Sequence, residues 1–301
     1  MSKIIIITGL TGSGKSGLAV DIAKKYNGEI ISCDSVQIYK GLNIGSAKVT
    51  QEEMQGIKHY LIDILEPTQE YSVGQFVKDC ESAINDIISK SKLPILVGGT
   101  GLYIKSLLQG YSFNNVDKNE EFRKEQFKLA EKYGNQYVWD KLNAISPSKA
   151  QSVHYNNLKR VVRYLEVETF GGNDSPVYNV LEGHDVLSIG LVVNEREQIY
   201  DKINKRVDIM IEQGLEDEVK GLLAQGLTLN DNCMNTIGYR EMAQYLLGEI
   251  DYPTCIELIK QHTRNYCKRQ LTFMKTIPQL ILLEKDKAIL HIEEFLNDNT
   301  K

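Results

Sequence analysis

Through the first third of the chain, continuous apolar runs alternate with stripes of helical period, the signature of βαβ units and a parallel sheet. Ile4 to Thr8 is one such run and predicts a buried strand. Leu18, Ala19, Ile22 and Ala23 then share one helical face, which ends near Asn27-Gly28, where glycine suits a C-cap. Glu29 to Cys33 predicts a second strand and Tyr60 to Leu65 a third. Ser72 with Gln75 reads as a capping box, opening a helix whose stripe is Val73, Phe76, Val77, Cys80, Ile84 and Ile87. Pro94 to Val97 predicts a further buried strand, closed by Gly98-Gly99-Thr100-Gly101.

From about Tyr111 to Asp185 the pattern changes. Charges of both signs are dense, the period is helical, and no strong strand recurs until Val186 to Val193. Residues 111–185 therefore read as a helical insertion between core segments 1–110 and 186–301. A long amphipathic helix follows, using Ile199, Ile203, Val207, Met210 and Ile211 and ending at Gly214. The C-terminal part is also helical in pattern, including Ile256 to Lys275, and neither internal repeats nor low-complexity stretches occur.

Length and charge narrow the picture. A chain of 301 residues accommodates one large domain or a core with a sizeable insertion. A net charge of -5 excludes a uniformly basic nucleic-acid coat, so any RNA contact must be a local patch. No stretch approaches the roughly 20 apolar residues of a membrane span. The N-terminus has neither a basic leader region nor a small-residue cleavage site, so a cytoplasmic protein without a membrane partner is expected. Five scattered cysteines without a Cys-x-x-Cys pair read as reduced thiols rather than a zinc site or disulfide framework.

The strongest chemical signal is Gly9-Leu10-Thr11-Gly12-Ser13-Gly14-Lys15-Ser16, a full Gly-x-x-x-x-Gly-Lys-Ser/Thr motif between a predicted strand and a predicted helix. Its glycines let backbone N–H groups and a helix N-terminus face phosphate oxygens. Lys15 adds a point charge, and the Ser16 hydroxyl suits magnesium. The expected fold is α/β: a P-loop NTPase-like parallel sheet core with helices on both faces and an α-helical insertion. The motif points to diphosphate without saying which one.

Asp34-Ser35-Val36-Gln37 lies just past the second strand, at the carboxyl edge where such sheets hold ligands. Asp34 suits a general base or magnesium partner there, and equally a helix N-cap or turn aspartate. Gly98-Gly99-Thr100-Gly101 leaves the next strand at the same edge and reads either as a substrate approach or as a plain turn. Lys159, Arg160 and Arg163 share one probable helix; His262, Arg264, Lys268, Arg269 and Lys275 share another. Such runs are commonly solvated faces. Tyr239, Tyr266 and Phe273 suit packing more readily than base stacking, and His59, before an apolar strand, suits a structural role.

Taken in order, seven segments resemble the tRNA dimethylallyltransferase (tRNA isopentenyltransferase) family: Gly9–Ser16, Asp34–Lys48, Val97–Tyr103, Leu158–Val167, Ile203–Ile211, Thr236–Glu241 and Thr263–Phe273. The resemblance implies a channel entered at one end by dimethylallyl diphosphate and at the other by an adenosine flipped from the anticodon loop of tRNA, immediately 3′ of the anticodon. Asp34 matches the general base that takes a proton from the exocyclic amine. Thr11, Lys15 and Ser16 match the groups holding the diphosphate and its magnesium, and Arg206 matches a group stabilising leaving-group charge. Residues 9–16 together would cradle the diphosphate. Asp34, Ser35, Val36 and Gln37 match the segment meeting the acceptor, with Gln37 reading the adenine; Thr100 and Arg123 fall at tRNA-contacting positions. Lys159, Arg160 and Arg163 would belong to an RNA-binding surface on the insertion. The family frequently has proline where Leu10 stands, a second histidine where Tyr60 stands, and a tighter turn than Phe170–Asp174.

Two rivals share the motif. An adenylate isopentenyltransferase would prenylate free AMP, ADP or ATP, but needs neither the insertion nor the basic C-terminal helix. An ATP-binding small-molecule kinase would transfer phosphoryl instead. A guanine-nucleotide switch is disfavoured, since no Asn-Lys-x-Asp motif occurs. A monomer is compatible with this reading.

Overall fold

The structure, a computed structural model, describes residues 1–112, 116–171, 177–193 and 195–298. Two compact units divide the chain: a core of Met1–Gly110 with Asn179–Lys301, and an insertion of Tyr111–Tyr178. The first half of the core runs β1 (Lys3–Gly9), α1 (Lys15–Lys25), β2 (Gly28–Ser32), α2 (Gln51–Met54), β3 (His59–Tyr60), α3 (Val73–Ser89), β4 (Leu93–Gly98) and α4 (Gly101–Gln109). The insertion comprises β5 (Tyr111–Ser112), α5 (Glu120–Tyr133), α6 (Asn135–Ile145), α7 (Pro147–Gln151), α8 (Leu158–Thr169) and β6 (Val177–Tyr178). The chain returns with β7 (Asp185–Leu191), α9 (Arg196–Glu212), α10 (Leu215–Ala224), α11 (Tyr239–Leu246), α12 (Tyr252–Met274), β8 (Ile281–Leu283) and α13 (Lys285–Asn297).

The core sheet has the order β3-β2-β4-β1-β7-β8, with every pair parallel. The centre belongs to β1 because Ile4, Ile5, Ile6 and Ile7 are apolar on both faces and are wholly buried. Each isoleucine so buried contributes about 1.5–3 kcal/mol of transfer free energy. On one face Ile5, Ile7, Ile95 and Ile189 pack against Leu18 and Ile22 of α1 and Ile292 of α13. On the other, α3 lies over β2 and β4 and α12 over β1, and Phe76 of α3 stacks on Tyr103 of α4 with ring centroids 3.9 Å apart. A second core joins α9, α10, α11 and α12 to residues 38–42 around Val207, Leu222, Met234 and Tyr239. Because β4 lies between β1 and β2, three loops leave the carboxyl edge of the sheet side by side.

Some expectations need correction. The third strand stops at Tyr60, because Leu61 (φ 61) and Asp63 (φ 53) turn into the left-handed region; Leu65 retains only a bridge to Tyr39. The Ser72 hydroxyl does accept from the Gln75 N–H, but the Gln75 side chain donates to Asp79 Oδ1 at 3.0 Å, so only half the capping box forms. The C-terminal part also contains the short strand β8, parallel to β7 through Gly190 and Leu282.

The insertion holds its own core of Val138, Leu142, Ala150, Val161, Val162 and Leu165. Its first and last residues pair antiparallel, Tyr111 opposite Tyr178. The compact unit ends at Tyr178, ahead of the expected limit at 185, where β7 already begins. Residues 172–174 of the turn after α8 lie outside the described residues. Among the described residues, no helix is long and apolar enough to cross a membrane.

Candidate active site

The loop after β1 is shaped for an anion. Gly12 and Gly14 both adopt φ 82, a left-handed conformation that side chains disfavour. A Cβ on Gly9 would lie 2.8 Å from Leu191 O, so the loop must leave the sheet through glycine. Ser13 N donates to Leu10 O at 3.1 Å and Leu10 N to Leu191 O at 3.2 Å, and α1 starts at Lys15 with its first N–H groups unpaired within the helix. Leu10 itself is buried, so it offers the loop backbone only. Ser13 Oγ is buried and finds no hydrogen-bond partner among the described residues. Lys15 Nζ lies 3.4 Å from Leu10 O. Burial, helped by the nearby Arg206, pulls the Lys15 ammonium down to about 8, against the opposing pull of Asp34.

Asp34 follows β2 and divides its carboxylate. Oδ1 accepts from Val36 N at 2.9 Å and Gln37 N at 3.2 Å, whereas Oδ2 has no hydrogen bond among the described residues. The turn-aspartate role therefore belongs to Oδ1 alone. Thr100, at the start of α4, accepts from Ser35 N at 3.0 Å and donates to Ser35 Oγ at 3.3 Å, joining the loops after β2 and β4. Gly98 permits this, since a Cβ there would lie 2.2 Å from Cys33 O. Gln37 Nε2 donates to Ala47 O at 3.1 Å and Ser46 O at 3.4 Å. Arg206, from α9, has its pKa lowered by burial while Asp34 pulls it upward.

Two chambers meet over this edge. The larger, about 500 Å³, is lined by Ser46, Thr100, Arg240, His262 and Arg269, among others. The smaller, about 80 Å³, is lined by Lys15, Ser16, Gln37, Val49 and Ile62, among others. Thr11, Asp34, Arg206 and Tyr266 line both, so the free oxygen of Asp34 belongs to a residue at the junction.

The predicted residues of the insertion behave differently from one another. Arg123 grips the fully buried Glu166 through Nε at 2.8 Å and Nη2 at 2.6 Å. Arg163 reaches the same carboxylate through Nη1 at 2.5 Å and Val116 O through Nη2 at 3.1 Å. Burial would raise the Glu166 pKa, but the two guanidiniums and the Asn119 N–H hold it down at about 2. Arg160 donates to its neighbour Tyr164 OH, and both Lys159 and Arg160 are exposed.

Several cleft residues escape sequence reasoning. Gln270 of α12 accepts from Thr11 and donates to Gly99 O at 3.1 Å. Fully buried Glu241 accepts from Gly238 N (2.8 Å) and Arg240 Nη2 (2.5 Å) and lies 2.7 Å from His262 Nδ1, aligning the two side chains on the larger chamber. The Tyr-Arg-Glu block and His262 are visible in the chain, but no spacing rule joins α11 to α12; their packing does. Tyr239 is fully buried, whereas Tyr266 donates to Gly99 O at 3.2 Å. His59 lines the smaller chamber, its Nδ1 2.9 Å from Ile57 O and its pKa lowered by burial.

The chain is similar to known proteins along most of its length. A chain named tRNA dimethylallyltransferase from Thermoanaerobacter sp. (strain X514) is 46% identical over 279 residues, covering 91% of this chain and 89% of its own. The full-length tRNA isopentenylpyrophosphate transferase structure from Bacillus halodurans matches 98% of this chain and 96% of its own, at 39% identity and a TM-score of 0.73. A eukaryotic dimethylallyltransferase acting on tRNA matches 99% of this chain and 80% of its own, at 27% identity and a TM-score of 0.76. The sequence model of the IPP transferase family matches residues 37–277, from Gln37 through the helices that wall the larger chamber. By that match, and by its identity to these relatives along nearly its whole length, the chain belongs to the IPP transferase family.

Proposed function

We propose that this chain is a tRNA dimethylallyltransferase, moving the dimethylallyl group of dimethylallyl diphosphate to the exocyclic amine of the adenosine immediately 3′ of the anticodon. The observation that carries this reading is the junction of the two chambers at Asp34, with Lys15 and Ser16 of the glycine-rich loop on the smaller and about 500 Å³ of space in the larger. A base reaching that junction must first leave its stack.

In the transfer, the amine nitrogen bonds to the allylic carbon as the carbon–oxygen bond to diphosphate breaks. Asp34 Oδ2 accepts the proton that the nitrogen loses, while Oδ1 stays on Val36 and Gln37 N–H and holds the carboxylate still. The departing diphosphate gains charge, which the loop N–H groups of residues 9–16, Lys15 and Arg206 stabilise. Thr11, fixed by Gln270, holds the loop at the junction. Ser35, Val36 and Thr100 line the larger chamber on the acceptor side, and Gln37 lines the smaller beside the junction.

Ser16 and Asp34 line the smaller chamber together. Among the described residues no three His, Cys, Asp or Glu side chains group as a metal cage. A hydroxyl and a carboxylate on one chamber wall would fit a magnesium ion, with Ser16 as its protein ligand. When bound, that ion supplies charge neutralisation on the leaving group.

The test is to incubate the protein with labelled dimethylallyl diphosphate and either tRNA or AMP. Label on tRNA adenosine is expected; label on AMP alone would make the chain an adenylate isopentenyltransferase.

A further inference from the structure

Gly45 and Ser46 line the larger chamber and Ala47 the smaller, yet residues 42–47 form neither helix nor strand. A carboxylate outside the cleft holds them. Glu218, in the first turn of α10, accepts from three successive backbone N–H groups: Asn43 at 3.0 Å, Ile44 at 2.9 Å and Gly45 at 3.2 Å. Three consecutive N–H groups converging on one anion form a nest whose shape depends on that anion. The Tyr239 hydroxyl donates to the same carboxylate at 2.6 Å. Gly45 sits directly on the Tyr239 ring, where a Cβ would lie 2.6 Å from Cε2.

The segment passes this order to the cleft. The carbonyls of Ser46 and Ala47 receive the Gln37 amide nitrogen, which assigns the orientation of that amide and leaves Oε1 without a partner among the described residues. An amide oxygen presented to a ligand accepts from an amine and repels a carbonyl. Gln37 and Asp34 share one turn and both line the smaller chamber, so an exocyclic amine reaching the junction at Asp34 meets a wall that carries both acceptor oxygens.

We propose that Glu218 and Tyr239 are positioning residues for the transfer: they lock residues 43–47 and, through the carbonyls of Ser46 and Ala47, the orientation that leaves Gln37 Oε1 free on the chamber wall it shares with Asp34. Neither lines either chamber, so the Glu218 carboxylate and the Tyr239 hydroxyl bonded to it reach the cleft through that segment. This rests on the acceptor being a nucleobase amine, as proposed above.

The experiment is steady-state kinetics of Glu218→Gln, Tyr239→Phe and each combined with Gln37→Ala, varying tRNA and donor separately. Loss of correctly held hydrogen bonds should raise the tRNA KM about tenfold in Glu218→Gln and about threefold in Tyr239→Phe, with donor KM within about twofold of wild type. On the Gln37→Ala background the second substitution should add almost nothing, because its effect runs through Gln37. Equal rises in tRNA and donor KM, or losses that multiply with Gln37→Ala, would overturn the proposal in favour of general loosening. Should Glu218→Gln fail to fold, Tyr239→Phe removes one hydroxyl only and carries both readouts alone. Wild-type protein that labels AMP and not tRNA would instead sink the proposed function, so the two failures are distinct.

Discussion

Gln270 holds Thr11 twice: its Oε1 accepts from the Thr11 N–H at 2.9 Å and from the Thr11 hydroxyl at 3.1 Å. Its Nε2 donates to Gly99 O, so one amide ties α12 to the loops leaving β1 and β4. Gln270→Ala leaves the Thr11 N–H unpaired and Gly99 O with Tyr266 alone. The expected cost is about 1–3 kcal/mol of stability, the penalty for unmade buried hydrogen bonds. Donor KM should rise while tRNA KM stays level. Thermal unfolding and separate substrate titrations check both, and an unchanged donor KM removes Gln270 from the donor end.

Asp34→Asn keeps a side-chain oxygen for the Val36 and Gln37 N–H groups but loses the proton acceptor at the other oxygen. Folding and tRNA affinity should persist while the single-turnover rate falls by about two to four powers of ten, the usual range for loss of a general base. A rate near wild type with tRNA affinity intact would leave Asp34 as a turn residue only.

How much of this was readable from the chain depends on where each decision is made. β1 is legible because four consecutive isoleucines suit a strand buried on both faces. β8 is not, since three residues cannot display a period and their pairing is decided by β7. The phosphate loop and Asp34 are local features at strand ends, so motif and order suffice to find them. Gln270 lies 259 residues from Thr11 in the chain, and only the packing of α12 brings them together. The same holds for Glu241 with His262 and for Glu218 with residues 43–45. Basic residues on α8 look alike in sequence; burial of Glu166 beneath two of the expected RNA contacts separates them.

Lys15 predicts a pH signature for donor binding. Its pKa stands at about 8, lowered from 10.5 by burial and then by Arg206. Between those values the free protein holds a neutral amine, whereas a bound diphosphate favours the ammonium. Donor binding should therefore take up a proton above pH 8, and affinity should weaken as pH rises through that range. Titration calorimetry in buffers of different ionisation heat, at about pH 7 and about pH 9, measures the uptake. Lys15→Ala should bind donor weakly and without the linked proton; undiminished proton uptake in that variant would assign it to another group.

The basic residues of the insertion divide into two kinds, and charge reversal should separate them. Lys159 and Arg160 are exposed, so Lys159→Glu with Arg160→Glu should leave stability within about 0.5 kcal/mol of wild type. The same pair should weaken tRNA binding and flatten its salt dependence, since fewer counterions are released on association. Donor affinity should be unaffected. Arg163 and Arg123 instead neutralise the buried Glu166, and removing either strands part of a buried charge. Arg163→Ala should cost about 3 kcal/mol or more, the range for breaking a buried ion pair. The sign with pH follows from the depressed Glu166 pKa. Its contribution is present above the ordinary value of 4.5 and is lost as pH falls through about 2. Thermal unfolding of wild type should therefore decline across that window, and Arg163→Ala should decline less steeply because part of the contribution is already gone. Titrating labelled tRNA over a salt series completes the comparison. An unchanged salt slope in the Lys159/Arg160 pair would move the RNA surface to the α12 cations Arg264, Lys268, Arg269 and the adjoining Lys275, leaving α8 with a purely structural charge cluster.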